Sequence, residues 1–164
     1  MPERIVHTIA PVFDGESRIL MLGTMPSPKS REAGFYYGHP QNRFWPVLAA
    51  VLGEDAPDTT QRRRALLLRH RIALWDVLQS CTISGAEDAS IREPVANDLT
   101  LITRSAPIRA VFATGKKAAA LYERYCRERV GMPVTCLPST SPANRRCSDE
   151  ALTAAYRAIL PHLA

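Results

Sequence analysis

Apolar positions in this chain come in short blocks, and the blocks alternate between strand-like and helix-like patterns. Residues 18–22 (RILML) form a continuous apolar run ending at Gly23, which predicts a buried strand. Residues 47–52 are apolar with helical character. Pro46 fits only the first turn of a helix, so that helix is predicted to begin within 42–45. Residues 61–70, rich in Leu and Arg, predict a second helix, and 71–78 (RIALWDVL) a strand running into a loop. An irregular stretch over 79–94 precedes a short helix around 95–105. Residues 108–114 predict a strand. Gly115 then opens a helix to residue 129, with Ala118, Leu121, Tyr122 and Tyr125 on one face. A strand over 133–137 and a helix over 149–163 complete the chain. That last helix has Leu152, Ala155, Tyr156, Ile159 and Leu163 at helical spacing. Ser148, Asp149 and Glu150 bring a cap and negative charge to its start.

Strands alternating with helices predict a parallel sheet covered on both faces. Ligands in such sheets bind beyond the carboxyl ends of the strands. Two unusual loops begin at such ends. The first, Gly34-Phe35-Tyr36-Tyr37-Gly38-His39-Pro40-Gln41-Asn42-Arg43-Phe44-Trp45, is dense in aromatic area, which suits stacking on a flat ligand. The second is Leu137-Pro138-Ser139-Thr140-Ser141-Pro142-Ala143-Asn144-Arg145-Arg146. The topology lets them face each other across one cleft.

Composition narrows the class only a little. At 164 residues and 46% hydrophobic, the chain suits one globular domain over 1–164. The net charge of +5 permits a polyanionic partner without demanding one. Arg62-Arg63-Arg64 reads as a solvated helix face. No run approaches the roughly 18 apolar residues that span a bilayer. Glu3 and Arg4 precede no apolar signal segment, so a soluble, cytoplasmic protein is expected. Cys81, Cys126, Cys136 and Cys147 form no C-x-x-C pair, which predicts free thiols and no metal site.

The turn Gly23-Thr24-Met25-Pro26-Ser27-Pro28 lets a ligand approach the backbone at Gly23, and its prolines stiffen the loop. It reads equally as a rigid strand-to-helix connection. Gly115-Lys116-Lys117 lacks the upstream Gly and following Ser/Thr of a phosphate loop. His39 is a general acid, a ligand or a structural donor. Asn42 fits a helix N-cap, and capping is compatible with a catalytic amide whose orientation it would fix. The hydroxyls of Ser139-Thr140-Ser141, with Asn144 and Arg145, suit phosphate oxygens. Alone, these features describe an α/β domain with a cleft for a flat, anionic ligand.

Gly-Thr-Met-Pro-Ser, Tyr-Tyr-Gly-His-Pro-Gln-Asn-Arg-Phe-Trp and Leu-Pro-Ser-Thr-Ser-Pro-Ala-Asn together resemble the uracil-DNA glycosylase superfamily. Within it they resemble the hypoxanthine-DNA (deoxyinosine) branch, as do residues 73–78 and 85–91. The mismatch-specific uracil-DNA glycosylases share the His-Pro-x-Asn-Arg-Phe-Trp segment. The resemblance implies a three-layer α/β/α sandwich with a central, mainly parallel sheet. Uracil-removing relatives carry Asn or Asp where Met25 stands, which argues against strong uracil activity. The hypoxanthine branch assigns catalysis to the Asn matching Asn42.

The resemblance further implies a base pocket of Gly23, Thr24, Met25, Tyr37, His39 and Asp76, with Tyr37 stacking on the flipped base. It implies DNA contacts at Ser27, Ser139, Thr140, Ser141, Ala143, Asn144 and Arg145. Ala143 is small for a wedge, which leaves that role to Asn144 or Arg145. The expected activity is monofunctional hydrolysis of the N-glycosidic bond of a deaminated purine in double-stranded DNA, by a monomer without metal or organic cofactor. Asn42 would position water, and Asp76 and Asp88 are the candidate carboxylate helpers. Lys29 is the candidate amine for a lyase step, against which the resemblance argues. The rival readings are a mismatch-specific uracil glycosylase and a non-catalytic DNA- or nucleotide-binding module.

Overall fold

The structure, a computed structural model, describes residues 2–164. In chain order it contains β1 (Glu3–Val6), β2 (Ile19–Gly23), α1 (Pro28–Ala33), α2 (Phe44–Leu52) and α3 (Thr60–Arg69). There follow β3 (Ile72–Asp76), β4 (Leu78–Ile83), β5 (Arg92–Ala96), α4 (Thr100–Thr103) and β6 (Ala110–Thr114). The chain closes with α5 (Lys116–Tyr125), α6 (Arg127–Val130), β7 (Val134–Leu137) and α7 (Asp149–Tyr156).

The central sheet is entirely parallel, in the order β3-β2-β6-β7. Every residue of β2 and β3 is buried, as continuous apolar runs in a doubly covered sheet must be. The chain leaves β2 toward β3 on one side and leaves β6 toward β7 on the other. Right-handed crossovers therefore put α2 and α3 on one face and α5 on the other. α3 packs on β3, α5 packs on β6 and β7, and α7 joins α2. This is the expected three-layer α/β/α sandwich. Its strand order reverses between β2 and β6, so the crevice opens beyond Gly23 and Thr114.

A second sheet, β1-β4-β5, is antiparallel. Residues 79–94, expected to be irregular, carry most of it. Gln79, Ser80 and Thr82 break the apolar signal of β4. Ser80 is nonetheless buried because the Arg4 guanidinium donates to its hydroxyl at 2.9 Å. β5 is an edge strand, which is where Pro94 is tolerated.

Helix ends also depart from expectation. The helix predicted over 95–105 shrinks to α4, because Val95 and Ala96 belong to β5. The helix after Gly115 breaks at Cys126, and Tyr125 is exposed beneath the Arg124 guanidinium rather than packed inward. The C-terminal helix tightens to a 3-10 helix at Arg157–His162, where Pro161 supplies no N–H. All four cysteines are free.

Candidate active site

A cavity of 320 Å³ opens at the crevice. Its floor is Gly23, Asp76 and Thr114, the last residues of β2, β3 and β6. A Cβ on Gly23 would collide with Asp76 Oδ1 and come within 3.1 Å of Tyr37 Oη. Glycine is needed here for that close approach, which lets both the carboxylate and the phenol lie close over the strand end.

The aromatic loop is built largely inward. Phe35, Tyr36, Phe44 and Trp45 are buried, so most of its aromatic area goes to the core rather than to a ligand, against the expectation. Tyr36 Oη donates to the Ala10 carbonyl at 2.8 Å, and Trp45 Nε1 donates to the Tyr36 carbonyl at 3.0 Å. Gly38 lies against α1, where a Cβ would meet Ser30 Cα at 3.3 Å, and its N–H donates to Ser30 Oγ. These anchors leave Tyr37 facing the cavity. Phe44 stacks on one face of its ring at 3.9 Å and 12°. Its hydroxyl sits 2.8 Å from Thr114 Oγ1. Burial, and then the Asp76 charge, raise the Tyr37 pKa and keep the phenol neutral. Tyr37 holds φ at 52°, a left-handed conformation sustained by these contacts.

Asn42 lines the rim, and its Oδ1 accepts the Phe44 N–H at 2.9 Å. The N-cap position itself falls to Arg43, so Asn42 precedes the cap and closes an i→i+2 side-chain turn at the helix entry; that turn fixes the amide while leaving Nδ2 free of partners among the described residues. His39 also lines the cavity, with Nδ1 accepting the Gln41 N–H at 3.0 Å. Thr24 and Met25 line the wall, and their backbone N–H groups have no partner among the described residues.

Asp76 Oδ2 accepts from His7 Nε2 at 2.8 Å, with both side chains almost fully buried. His7 received no role from the sequence, where it is a lone histidine in a mostly apolar terminal segment, Ile5-Val6-His7-Thr8-Ile9. Asp88, on a 3-10 helix at Asp88–Ser90, lines the mouth. It retains exposed surface, but neighbouring atoms crowd its carboxyl. That desolvation raises its pKa against the lowering effect of Lys117, and Asp76 raises it further.

The second loop closes the cavity with Ser139, Thr140, Ser141, Pro142 and Ala143. Ser139 Oγ accepts the Ser141 N–H, and Ser141 Oγ accepts the Ala143 N–H. Each hydroxyl thus has an oriented oxygen and a proton still to donate. Thr140 is buried beneath them. Asn144 turns back, Nδ2 donating to the Ser139 carbonyl at 2.8 Å, and lies outside the cavity. Arg145 is exposed and outside it too. Ser27 lines the cavity, but its oxygen caps α1 by accepting the Ser30 N–H. Lys29 lies beyond the lining and pairs with Glu32.

Arg43, given no role by sequence, ties the two loops together. Its guanidinium donates to the carbonyls of Cys147 at 2.6 Å and Asn144 at 2.8 Å, and its N–H donates to the Thr140 carbonyl at 3.1 Å.

The family model for the uracil DNA glycosylase superfamily matches residues 10–164, a span that takes in both loops and the cavity floor. The chain belongs to that superfamily. It is 38% identical over 138 residues to a hypoxanthine DNA glycosylase of Methanosarcina barkeri, covering 83% of this chain and 86% of that one. It is 36% identical over 139 residues to a hypoxanthine DNA glycosylase of Methanosarcina acetivorans, covering 84% and 87%. A solution NMR structure from Methanosarcina acetivorans, provisionally described as a uracil DNA glycosylase, superposes with a TM-score of 0.78. That likeness spans 94% of this chain and 98% of the other at 31% identity. In this superfamily member no helix among the described residues is long and apolar enough to cross a membrane.

Proposed function

We propose that the chain is a DNA-hypoxanthine glycosylase that hydrolyses the N-glycosidic bond of a deaminated base in double-stranded DNA. One observation carries the reading. The cavity presents a carboxylate acceptor on its floor, Asp76 Oδ1, beside N–H donors on its wall, at Thr24 and Met25, that have no partner among the described residues. Deamination turns the acceptor-and-amine edge of adenine into an N–H and carbonyl edge. The floor complements the product edge and opposes the parent edge.

The target bond is unreachable inside the duplex, so the nucleotide flips into the cavity, at a cost smallest for a mispaired base. The base lies on the Tyr37 face that Phe44 leaves open, a stack worth about 1–3 kcal/mol. N1–H donates to Asp76, and the carbonyl accepts from Thr24 and Met25. As the bond between C1′ and N9 breaks, its electron pair moves into the ring. The negative charge growing on the carbonyl meets those fixed N–H dipoles. Asn42 holds water against the oxocarbenium-like sugar; water adds its oxygen to C1′ and loses a proton to solvent, and the departed base anion takes one up from solvent. Ser139 and Ser141 donate to the flanking phosphates. Lyase chemistry is not needed: Lys29 is not among the lining residues, and its ammonium pairs with Glu32.

Labelled duplexes carrying deoxyinosine, deoxyuridine or deoxyxanthosine, treated with enzyme and then alkali, test the reading. Strand cleavage at inosine with little at uracil is expected, because Met25 offers no amide to a uracil-type site. Equal release of uracil favours the mismatch-specific enzyme. Binding without release from any duplex leaves the non-catalytic module.

Arg43→Ala frees the second loop from the first. Duplex affinity, read by fluorescence anisotropy, should fall roughly tenfold as charge-assisted bonds to two carbonyls are lost. The single-turnover rate at saturating enzyme should change far less, because the floor is untouched.

A further inference from the structure

His7 lies just beyond β1, in the second sheet's half of the molecule, yet it reaches the floor of the base cavity. Its N–H donates to the Gln79 carbonyl at 2.6 Å, which fixes the backbone beside β4. Its ring is set edge-on to Trp75, with centroids 6.4 Å apart, and tilted against Tyr36 at 6.0 Å. Nε2 faces Asp76 Oδ2 at 2.8 Å. The main chain at Asp76 is held as well, since Asn97 Nδ2 donates to its carbonyl at 2.9 Å. On its far side His7 lines a separate 630 Å³ cavity, with Trp75, Asn97 and Asp98 on the same wall. The buried Trp75 Nε1 has no partner among the described residues.

We propose that His7 is a positioning residue that makes Asp76 an obligate acceptor and so enforces selection of bases bearing an N–H on the recognition edge. The inference rests on the floor-edge reading above. A carboxylate can only accept, so the bond assigns the hydrogen to His7 Nε2. With Oδ2 engaged, the carboxylate cannot swing about its χ2 axis, and Oδ1 stays over Gly23 in the cavity. An unrestrained carboxylate would turn away from the cavity. That change would remove the penalty on a base that offers a lone pair at that edge. The end of β1 thereby contributes to base selection, although no residue of β1 itself lines the cavity.

Binding is read on duplexes whose target nucleoside carries a 2′-fluoro group that blocks glycosidic cleavage, so the measurement stands whether or not the bond is cut. The pair compared is 2′-deoxyinosine against the unsubstituted purine nucleoside, which lacks both N1–H and the carbonyl. The wild-type protein is expected to prefer inosine. In His7→Leu the preference should fall about tenfold, chiefly by lost inosine affinity, since charge-assisted hydrogen bonds are of that order. His7→Gln, whose amide can still donate to Oδ2, should recover most of it. Circular dichroism melting of each variant separates this from misfolding. Equal losses on both duplexes, or no loss in His7→Leu, would overturn the positioning role. A retained preference in a protein that releases no base would sink the glycosylase reading and leave the dyad standing.

Discussion

Replacing Asn42 by alanine should lower the single-turnover rate of hypoxanthine release by roughly two to three orders of magnitude, the usual scale for losing one preorganised polar group at a reacting centre. The difficulty is that Asn42 also closes the turn that leads into α2. Losing the Phe44 N–H bond costs about 1 kcal/mol of stability on its own. Asn42→Ser separates the two roles. A serine oxygen at this place can still accept the Phe44 N–H, but it is too short to reach where the amide ends. The serine variant should therefore melt close to wild type while remaining as inactive as the alanine variant. A serine variant with wild-type rate would reduce Asn42 to a structural turn residue. Substrate affinity should change little in either, because Tyr37, Asp76 and the second loop all remain.

The contrast between Asn42 and His7 marks what the sequence could convey. Asn42 sits in a segment crowded with glycine, proline and aromatics, a composition costly to keep without a reason. The segment was therefore legible as a candidate site, even though four of its aromatics turned out to be core. The parallel sheet was legible because its strands are buried on both faces and read as unbroken apolar runs. The second sheet was not. Its strands carry Gln79, Ser80 and Pro94, and their burial depends on partners such as Arg4 from the far end of the chain. His7 and Arg43 escaped for the same reason. Each acts through a long-range contact, to Asp76 in one case and to Asn144 and Cys147 in the other. No local spacing announces such contacts. Asn144 shows the converse: a residue type suited to phosphate donates its amide inside its own loop.

Gly23→Ala should be nearly as damaging as the loss of Asn42, by a different route. Gly23 does not hold a left-handed φ, so an alanine backbone fits and the effect is one of space alone. The added methyl occupies the position where Asp76 Oδ1 now lies, and it presses on Tyr37 Oη. Neither neighbour can yield cheaply. Asp76 is held by His7, and Tyr37 is held between Phe44 and Thr114. Overpacking of this kind costs about 1–3 kcal/mol of stability, visible as a lowered Tm. Activity should suffer more, because relief of the clash requires the acceptor to leave the floor. A fall of roughly a hundredfold in kcat/KM for deoxyinosine duplexes is expected, the scale for losing a buried hydrogen bond to a substrate edge together with its shape. The double variant Gly23→Ala/Asp76→Ala gives the decisive comparison. Removing the carboxylate removes the clash, so the melting temperature should recover relative to Gly23→Ala. The excision rate should not, since the acceptor is gone. Non-additive recovery of stability without recovery of activity would place the stability cost in the contact between Gly23 and Asp76. Recovery of both would mean that the cavity floor needs room but not the carboxylate, and the lactam-edge reading of base selection would fall with it.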